Sequence, residues 1–171
     1  LDNVLRTLND VVPFDWRGFF QQRVYAVNTR APLGGIERGG WRLVYRDKPS
    51  DMLKNVETTK KGTDLSFSLG LSLKEDGGIL DVIPGLPADR AGVGPGMKLL
   101  AVNNRRWKPE LLRTAIKEAK DGTAPVELLV ENGDMFKTCR LDYREGERYP
   151  YLERDASKPD VLTEIIKPRG K

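Results

Sequence analysis

A series of short apolar strands separated by turn residues, between Trp41 and Tyr143, constrains the fold of this chain most strongly. The segments "SFSLGLSL", "ILDVIPG" and "VELLVENGDMFKTC" have the length and the apolar pattern of strands and are bounded by Gly, Asp and Asn. The last of them carries an Asn-Gly pair at its centre, which is typical of a β-hairpin. The pattern predicts a small domain rich in β-structure.

Two predicted helices interrupt these strands. The segment "LPADRAG" predicts a short helix, because Pro87 suits the first helical position and Gly92 suits the exit. Pro109 begins and Gly122 ends a longer amphipathic helix. Its apolar residues recur at i, i+3, i+4 and i+7 and are Leu112, Ala115, Ile116 and Ala119. We therefore predict an α+β fold, a small and partly open β-barrel with two helices.

Helical patterns also precede the strands. An apolar stripe over residues 1–12 predicts one helix, and Asp15 can cap a second helix through "WRGFFQQRVYAV". The face of this second helix is heavily aromatic, and two helices alone cannot cover it. The helical part is expected to end near Gly40. Residues 47–64 are polar and predict a mobile loop, and Ser157 is a candidate cap for a short helix in the tail.

Charge and missing residue types exclude several functions. The 29 basic and 25 acidic residues alternate in sign instead of forming the basic stripe of a nucleic-acid-binding protein. No apolar run approaches the roughly 18 residues of a membrane span. The chain has no histidine and a single cysteine, Cys139, which excludes histidine-dependent catalysis and an intramolecular disulfide. We expect no catalytic residue, no metal site and no cofactor in this chain.

The strand series resembles a PDZ domain of the bacterial kind. The resemblance rests on two motifs, "SLGLSL" and, after it, "VIPGLPADRAGVGPGMKLLAVNNRRW". The second motif is similar to segments of PDZ domains that are attached to bacterial proteases. The resemblance implies a carboxylate-binding loop made of Ser68, Leu69, Gly70 and Leu71. It also implies a peptide groove between a strand and the longer helix, lined by Ser72, Leu73, Leu112, Ala115, Ile116 and Ala119.

Gly70 lies in the middle of this loop, where a strand pattern loses packing. Successive backbone N–H groups at such a turn form a concave site for an anion, and a side chain at Gly70 would block a peptide carboxylate. A β-bulge explains the same glycine. The basic residue that many peptide-binding members keep upstream of the loop is displaced here, since Asp64 lies closer than Lys61.

The flanking segments resemble the C-terminal third of the family M61 metallopeptidases, which are glycyl aminopeptidase-like enzymes. The markers are "DW" with the aromatic helix, "PL" before the glycine turn, and "RYP" with "PD" near the end. The resemblance implies that residues 1–40 close a peptidase domain, that 41–145 are PDZ-like, and that 146–171 form a tail with a short helix. Zinc is then expected in a catalytic domain outside these residues, bound by an HExxH motif that this chain lacks.

Two functions remain open at this point. In the first, the chain is a non-catalytic module that binds the C-terminus of a peptide or protein. In the second, an internal segment such as 47–64 or 146–171 fills the groove, and the module braces the catalytic domain of its parent protein. Neither function involves nucleic acid or a membrane. Because the chain begins at Leu1 without a signal-peptide pattern, we expect a piece of a longer protein. The family resemblance implies a bacterial source, and the sequence leaves the compartment, cytoplasm or periplasm, open.

Overall fold

A computed structural model describes residues 1–28 and 31–168 of the chain. The chain divides into two compact units. The first comprises Leu1–Arg42 with Glu153–Lys171, and the second comprises Leu43–Leu152. The domain boundaries expected at residues 40 and 145 stay predictions.

The first unit is mainly helical. Trp16–Phe20 continues into a π-helical turn at Gln21–Tyr25, so the predicted second helix is confirmed with a wider final turn. The helices of this unit are α1 (Asp2–Val11), α2 (Trp16–Phe20), α3 (Gly34–Arg38) and α7 (Val161–Ile166). Asp160, rather than Ser157, caps α7, because its carboxylate accepts the N–H of Thr163 at 3.1 Å. Strands β1 (Trp41–Arg46) and β9 (Tyr149–Arg154) pair as a two-stranded sheet.

The second unit contains two further antiparallel sheets. One has the strand order β2-β3-β4 and the other has the order β6-β5-β7-β8. The strands are β2 (Gly62–Leu65), β3 (Leu71–Lys74), β4 (Ile79–Val82), β5 (Lys98–Val102), β6 (Arg105–Arg106), β7 (Val126–Asn132) and β8 (Met135–Leu141). The helices are α4 (Asp51–Lys60), α5 (Pro87–Arg90) and α6 (Pro109–Asp121). The strands do not close into a barrel. The predicted α+β fold that is not a closed barrel is confirmed.

Alternating side chains of the sheets and one face of α6 form the core of the second unit. Along β7, for example, Val126, Leu128 and Val130 are buried and the residues between them are half-buried. This is the pattern expected for a strand with one face on the core. The apolar stripe of α6 covers that core, as the sequence predicted.

Two further local predictions were wrong. Residues 47–64 are not a loop, because α4 occupies Asp51–Lys60 and β2 follows it. Ser50 caps α4 by accepting the N–H of Leu53 at 3.3 Å, and Lys61 ends the helix in a left-handed conformation with φ of 47°. Because α4 has no fully buried side chain, its polar sequence lacks the apolar stripe from which a helix is predicted. The segment "SFSLGLSL" is not one strand either, since residues 66–70 form a turn before β3.

Candidate functional site

The predicted carboxylate-binding loop is the turn that joins β2 to β3. These strands form a hairpin in which Leu65 pairs with Leu71. Ser68 and Leu69 are buried within the turn, with 3% and 0% of their surface exposed. The loop is therefore packed into the domain rather than lying on its surface.

The local structure of the turn requires a glycine at position 70. Its φ of +78° lies in the left-handed region, and a Cβ atom there would lie 2.4 Å from Cβ of Leu86. The Gly70 carbonyl also accepts the N–H of Ile83 at 2.7 Å, which draws this backbone against the segment before α5. The close partner of the glycine is thus the chain itself, and the turn, not a bulge within a continuous strand, requires it.

The backbone donors of the loop already have an acceptor. The N–H groups of Ser68 and Gly70 both donate to the carbonyl oxygen of Leu65, each at 3.0 Å. These N–H groups belong to the loop that the family resemblance assigns to a peptide carboxylate. In this structure the carbonyl oxygen of Leu65, at the end of β2, is the acceptor of these two N–H groups.

The predicted strand-addition edge is also paired. Strand β3 has β4 on one side and β2 on the other, so it is the central strand of its sheet. Thr63 pairs with Leu73, and Asp64 pairs with Ser72. A peptide that adds to β3 between this strand and α6 would have to displace β2 first.

The remaining groove residues lie together in the core. The structure brings Leu73 into one apolar cluster with the predicted stripe of α6, and Leu65 of β2 belongs to that same cluster. No stripe residue has more than 5% of its surface exposed; the residues are Leu112, Ala115, Ile116 and Ala119. Ser72 is half-buried. The assignment of all these residues to a peptide site stays a prediction.

The loop has a basic neighbour that comes from a distant part of the sequence. The N–H of Arg148 donates to Oγ of Ser68 at 3.0 Å, and its guanidinium lies 4.3 Å from the ring centroid of Tyr45. The guanidinium also bonds to Glu145. The residue upstream of the loop, Asp64, instead accepts the N–H of Ser66 at 3.0 Å, which stabilises the turn locally.

A tyrosine hydroxyl is buried beside the loop. Tyr143 is 6% exposed, and its hydroxyl makes no hydrogen bond of ordinary geometry with any described residue. Burial, followed by the charge of Glu145, raises the pKa of Tyr143 to about 12, while the charge of Arg148 and then the Ser68 hydroxyl act to lower it. The neutral phenol is therefore the form that this site holds.

Sequence reasoning missed a charged cluster around Arg113 of α6. Its Nη2 lies 2.7 Å from Oε1 of Glu57 on α4, and its Nη1 lies 2.6 Å from Oε2 of Glu147. The three side chains are 24%, 18% and 19% exposed, so the cluster is largely shielded from water. Tyr149 completes it, because its hydroxyl bonds to both Arg113 and Glu147. Burial and the bond to Glu147 raise the pKa of Tyr149.

The same Glu57 oxygen has a second donor. The backbone N–H of Asp64 in β2 donates to Oε1 of Glu57 at 2.6 Å. A single carboxylate thus joins α4 to the outer edge of β2 and to α6. The sequence contains one signal for the helix that carries Glu57: Ser50, three residues before Leu53, is a typical N-cap residue. The partners of Glu57 lie too far away in the sequence for any local pattern.

Within residues 1–28 and 31–168, no group of three or more His, Cys, Asp or Glu residues could hold a metal ion. Over the same ranges, every helix is too short or too polar to cross a bilayer. The buried thiol of Cys139 has its pKa raised by burial.

Comparisons with known proteins give a fold and no family. No family model matches the chain, and no curated protein matches it. A crystal structure of an aminopeptidase N family protein from Idiomarina loihiensis matches 98% of this chain with a TM-score of 0.58 and 17% identity. This chain spans 28% of that protein. The HtrA3 PDZ domain bound to a phage-derived ligand, FGRWV, matches 66% of this chain and 92% of its own, at a TM-score of 0.31 and 15% identity.

Proposed function

We propose that this chain is the closing, non-catalytic part of a peptidase of the M61 type. Residues 1–40 would end the peptidase domain, 41–145 would be its PDZ-like module, and 146–171 its tail. The motifs of the two flanks support this proposal. The likeness in fold to the aminopeptidase N family protein, over 98% of this chain and 28% of that one, is consistent with it.

The proposed role of the PDZ-like module is to brace its parent protein, with its groove filled by its own chain. The observation that carries this proposal is the carbonyl of Leu65, which accepts the N–H groups of Ser68 and Gly70 at 3.0 Å each. Pairing of β2 along β3 fills the edge that a peptide would use. The occupant is β2, at the end of the 47–64 segment.

Zinc is assigned only to the parent's catalytic domain. The chain has no histidine, and its described residues contain no cluster suited to a metal ion. The residues present therefore do not fit the zinc site that the family resemblance implies, and no chemical step is assigned to them.

A peptide titration tests the bracing role. An isotope-labelled sample of the chain is titrated with mixed-sequence peptides, once as free acids and once as C-terminal amides. We expect no shift of the backbone N–H signals at Leu69, Gly70 and Leu71 with either form. We also expect slow hydrogen exchange at Ser68 and Gly70, because their N–H groups are bonded and buried.

Capture of a peptide C-terminus is the competing function, and the same titration would reveal it. Shifts at Leu69 to Leu71 with free acids alone would overturn the filled groove. The variant Thr63→Pro serves as a positive control for the peptide probe. The N–H of Asp64 points away from β3, so the N–H of Thr63, one residue earlier, points towards β3. Thr63→Pro removes that donor and weakens β2, so the free acids should then reach the loop.

A further inference from the structure

Helix α4 covers the outer edge of β2. In the pairing of β2 with β3, the N–H of Asp64 faces away from β3 and donates to Oε1 of Glu57 at 2.6 Å. Backbone groups along a strand alternate in direction, so Gly62 presents its own groups on the same side as Asp64. A helix therefore closes the edge that another strand could use, which is one way in which proteins protect an exposed strand edge.

Apolar burial contributes little to holding α4 in this place. No side chain of the helix is fully buried, and its half-buried apolar residue is Leu53. Met52 is 72% exposed and Val56 is exposed as well, so these two side chains face water. A cavity of about 380 Å³ lies between α4, β2 and the start of α6. A segment with so little buried apolar surface opens at a low free energy compared with the core.

Glu57 is the side chain that holds α4 to the rest of the second unit. Among the described residues, it makes every hydrogen bond and ion pair that a side chain of α4 forms with another element. Its carboxylate accepts the N–H of Asp64 and pairs with Arg113 of α6 at 2.7 Å. The remaining side-chain bonds of α4 stay within the helix. The attachment of α4 therefore depends strongly on one carboxylate.

Hydrogen bonds fix the chain on both sides of α4. The carbonyl of Lys48 accepts the hydroxyl of Tyr151 at 2.9 Å, before the helix. The carbonyl of Lys61 accepts the N–H of Glu75 at 2.9 Å, after it. Residues 49–60, which we call the strap, thus lie between two anchored residues and are held in the middle by Glu57.

We propose that the strap opens as a unit between these anchors while β2 stays paired with β3 and the core stays folded. In the closed state, Glu57 occupies the N–H of Asp64. In the open state, the outer edge of β2 is free to pair with another strand. The strap thereby controls whether this edge is available. This inference goes beyond the bracing role, since it concerns the edge of β2 that faces away from β3.

The groups that separate on opening are not left unpaired in the interior. Arg113 keeps Glu147 and Tyr149 as partners in the open state. Glu57 and the N–H of Asp64 are exposed to water, which replaces the bond between them. A released helix of ten residues is marginal in water, so α4 should unravel when the strap opens. Opening therefore exposes the amides of α4 together with the edge of β2.

Hydrogen exchange of the backbone amides, measured by NMR on the full chain at low urea concentrations, tests the strap. In the wild type, we expect the interior amides of α4 and the N–H of Asp64 to exchange faster than the N–H of Thr63, which faces β3. Urea should leave the rates of α4 and Asp64 nearly unchanged, because a local opening exposes little surface. The rate at Thr63 should rise with urea.

The variant Glu57→Gln removes the charge that holds the strap and keeps the shape of the side chain. We expect the interior amides of α4 to exchange at least about tenfold faster in this variant, with Thr63 unchanged, because charge-assisted hydrogen bonds are lost. Glu110→Gln is the matched control. Glu110 lines the same cavity and forms no hydrogen bond or ion pair with any described residue. Its substitution should leave the exchange rates of α4 as in the wild type.

Three results would overturn the inference: no increase in the exchange of α4 in Glu57→Gln, an equal increase in Glu110→Gln, or a rise at Thr63 together with α4. The last result would show that β2 leaves β3 along with the strap. If Glu57→Gln does not fold, the wild-type rates decide. Amides of α4 that follow the Thr63 amide at every urea concentration would reject an independent opening.

Discussion

At the scale of single residues, Gly70 illustrates how a glycine of a binding motif is also required by the fold. Its backbone has φ of +78°, and Leu86 fills the space that a side chain would need. Both facts hold without any ligand. A loss of peptide binding on substitution of Gly70 would therefore not by itself demonstrate a carboxylate site.

We expect Gly70→Ala to lower the free energy of unfolding by about 2 kcal/mol or more, from backbone strain together with the contact to Leu86. Urea unfolding followed by circular dichroism measures this. Gly85→Ala is the matched control, because Gly85 has the same φ of +78° and no atom within 4 Å of an added Cβ. It should cost only the strain. Equal losses in the two variants would contradict the proposed contact with Leu86.

Tyr143 gives a second prediction for a single residue. Its hydroxyl is buried without a hydrogen bond of ordinary geometry to any described residue, so Tyr143→Phe should raise the free energy of unfolding at pH 7 by about 1 kcal/mol. Urea unfolding at several pH values checks this. A loss of stability at pH 7 would show that the hydroxyl has a partner after all.

The pH dependence of Tyr143 has a defined sign. Its pKa is raised from 10.0 to about 12 in the folded state, so the folded protein holds the proton more tightly than the unfolded chain does. The effect of this protonation difference on the free energy of unfolding is fully present below pH 10. It is lost as the pH rises from 10 towards 12, so the free energy of unfolding falls over that interval. The wild type should therefore lose stability more steeply than Tyr143→Phe over this interval, and parallel profiles would contradict the assignment.

At the scale of elements, Arg144 caps the C-terminus of α6 from outside the helix. Gly122, which follows the helix, has φ of −98° and so does not form the left-handed turn that often ends a helix. The guanidinium of Arg144 supplies the missing donors. It donates to the carbonyls of Ala119, Gly122, Ala124 and Thr123 at 3.2, 3.1, 2.8 and 2.7 Å.

We expect Arg144→Met to lower the free energy of unfolding by about 2 kcal/mol, because several carbonyls at the helix end lose a charged donor. Arg144→Lys should lie between Arg144→Met and the wild type, since one ammonium cannot reach all four oxygens. Thermal and urea unfolding measure both variants. Arg140→Met is the control: Arg140 pairs with Glu127 at the surface with 72% of its side chain exposed, and its loss should cost less than about 1 kcal/mol. Equal costs for Arg140→Met and Arg144→Met would reject the cap.

At the scale of the whole molecule, the buried apolar side chains are concentrated in the second unit. Among the described residues, they all fall between Leu65 and Tyr149. The helices α1, α2, α3 and α7 contain no buried residue. Stability should therefore depend mainly on residues 43–152.

We expect a fragment of residues 43–152 to unfold cooperatively on its own, because it keeps the entire apolar core. Near-ultraviolet circular dichroism and urea unfolding test this. Ile116→Ala in the fragment should lower its unfolding free energy by about 2 to 5 kcal/mol, since Ile116 is 0% exposed. A fragment without a cooperative transition would mean that the second unit depends on the rest of the chain.

Local patterns in the sequence were sufficient for elements whose signals lie within a few residues. The limits of α6 follow from Pro109, Gly122 and the apolar stripe between them. The sequence predicted the hairpin of β7 and β8 around Asn132 and Gly133. The hairpin is present, but its turn residues are Gly133 and Asp134, because Asn132 already pairs with Met135; Gly133 has φ of +64°. The strand alternation and this one helix were enough for the α+β class.

Only the tertiary structure decided which groups meet at the predicted loop and at the edge of β3. The occupation of the loop donors by Leu65, and of the edge of β3 by β2, depends on a hairpin register that the strand pattern alone does not specify. Arg113 bonds to Glu57 and Glu147, which lie 56 and 34 residues away in the sequence. Hydrogen bonds and ion pairs of this kind depend on distances in space, whereas periodicity and turn residues record only neighbours along the chain. The sequence by itself therefore determined the elements that have local signals, such as α6 and the β7–β8 hairpin, but not α4 or β2. Packing decided which strand edges and donors stay available.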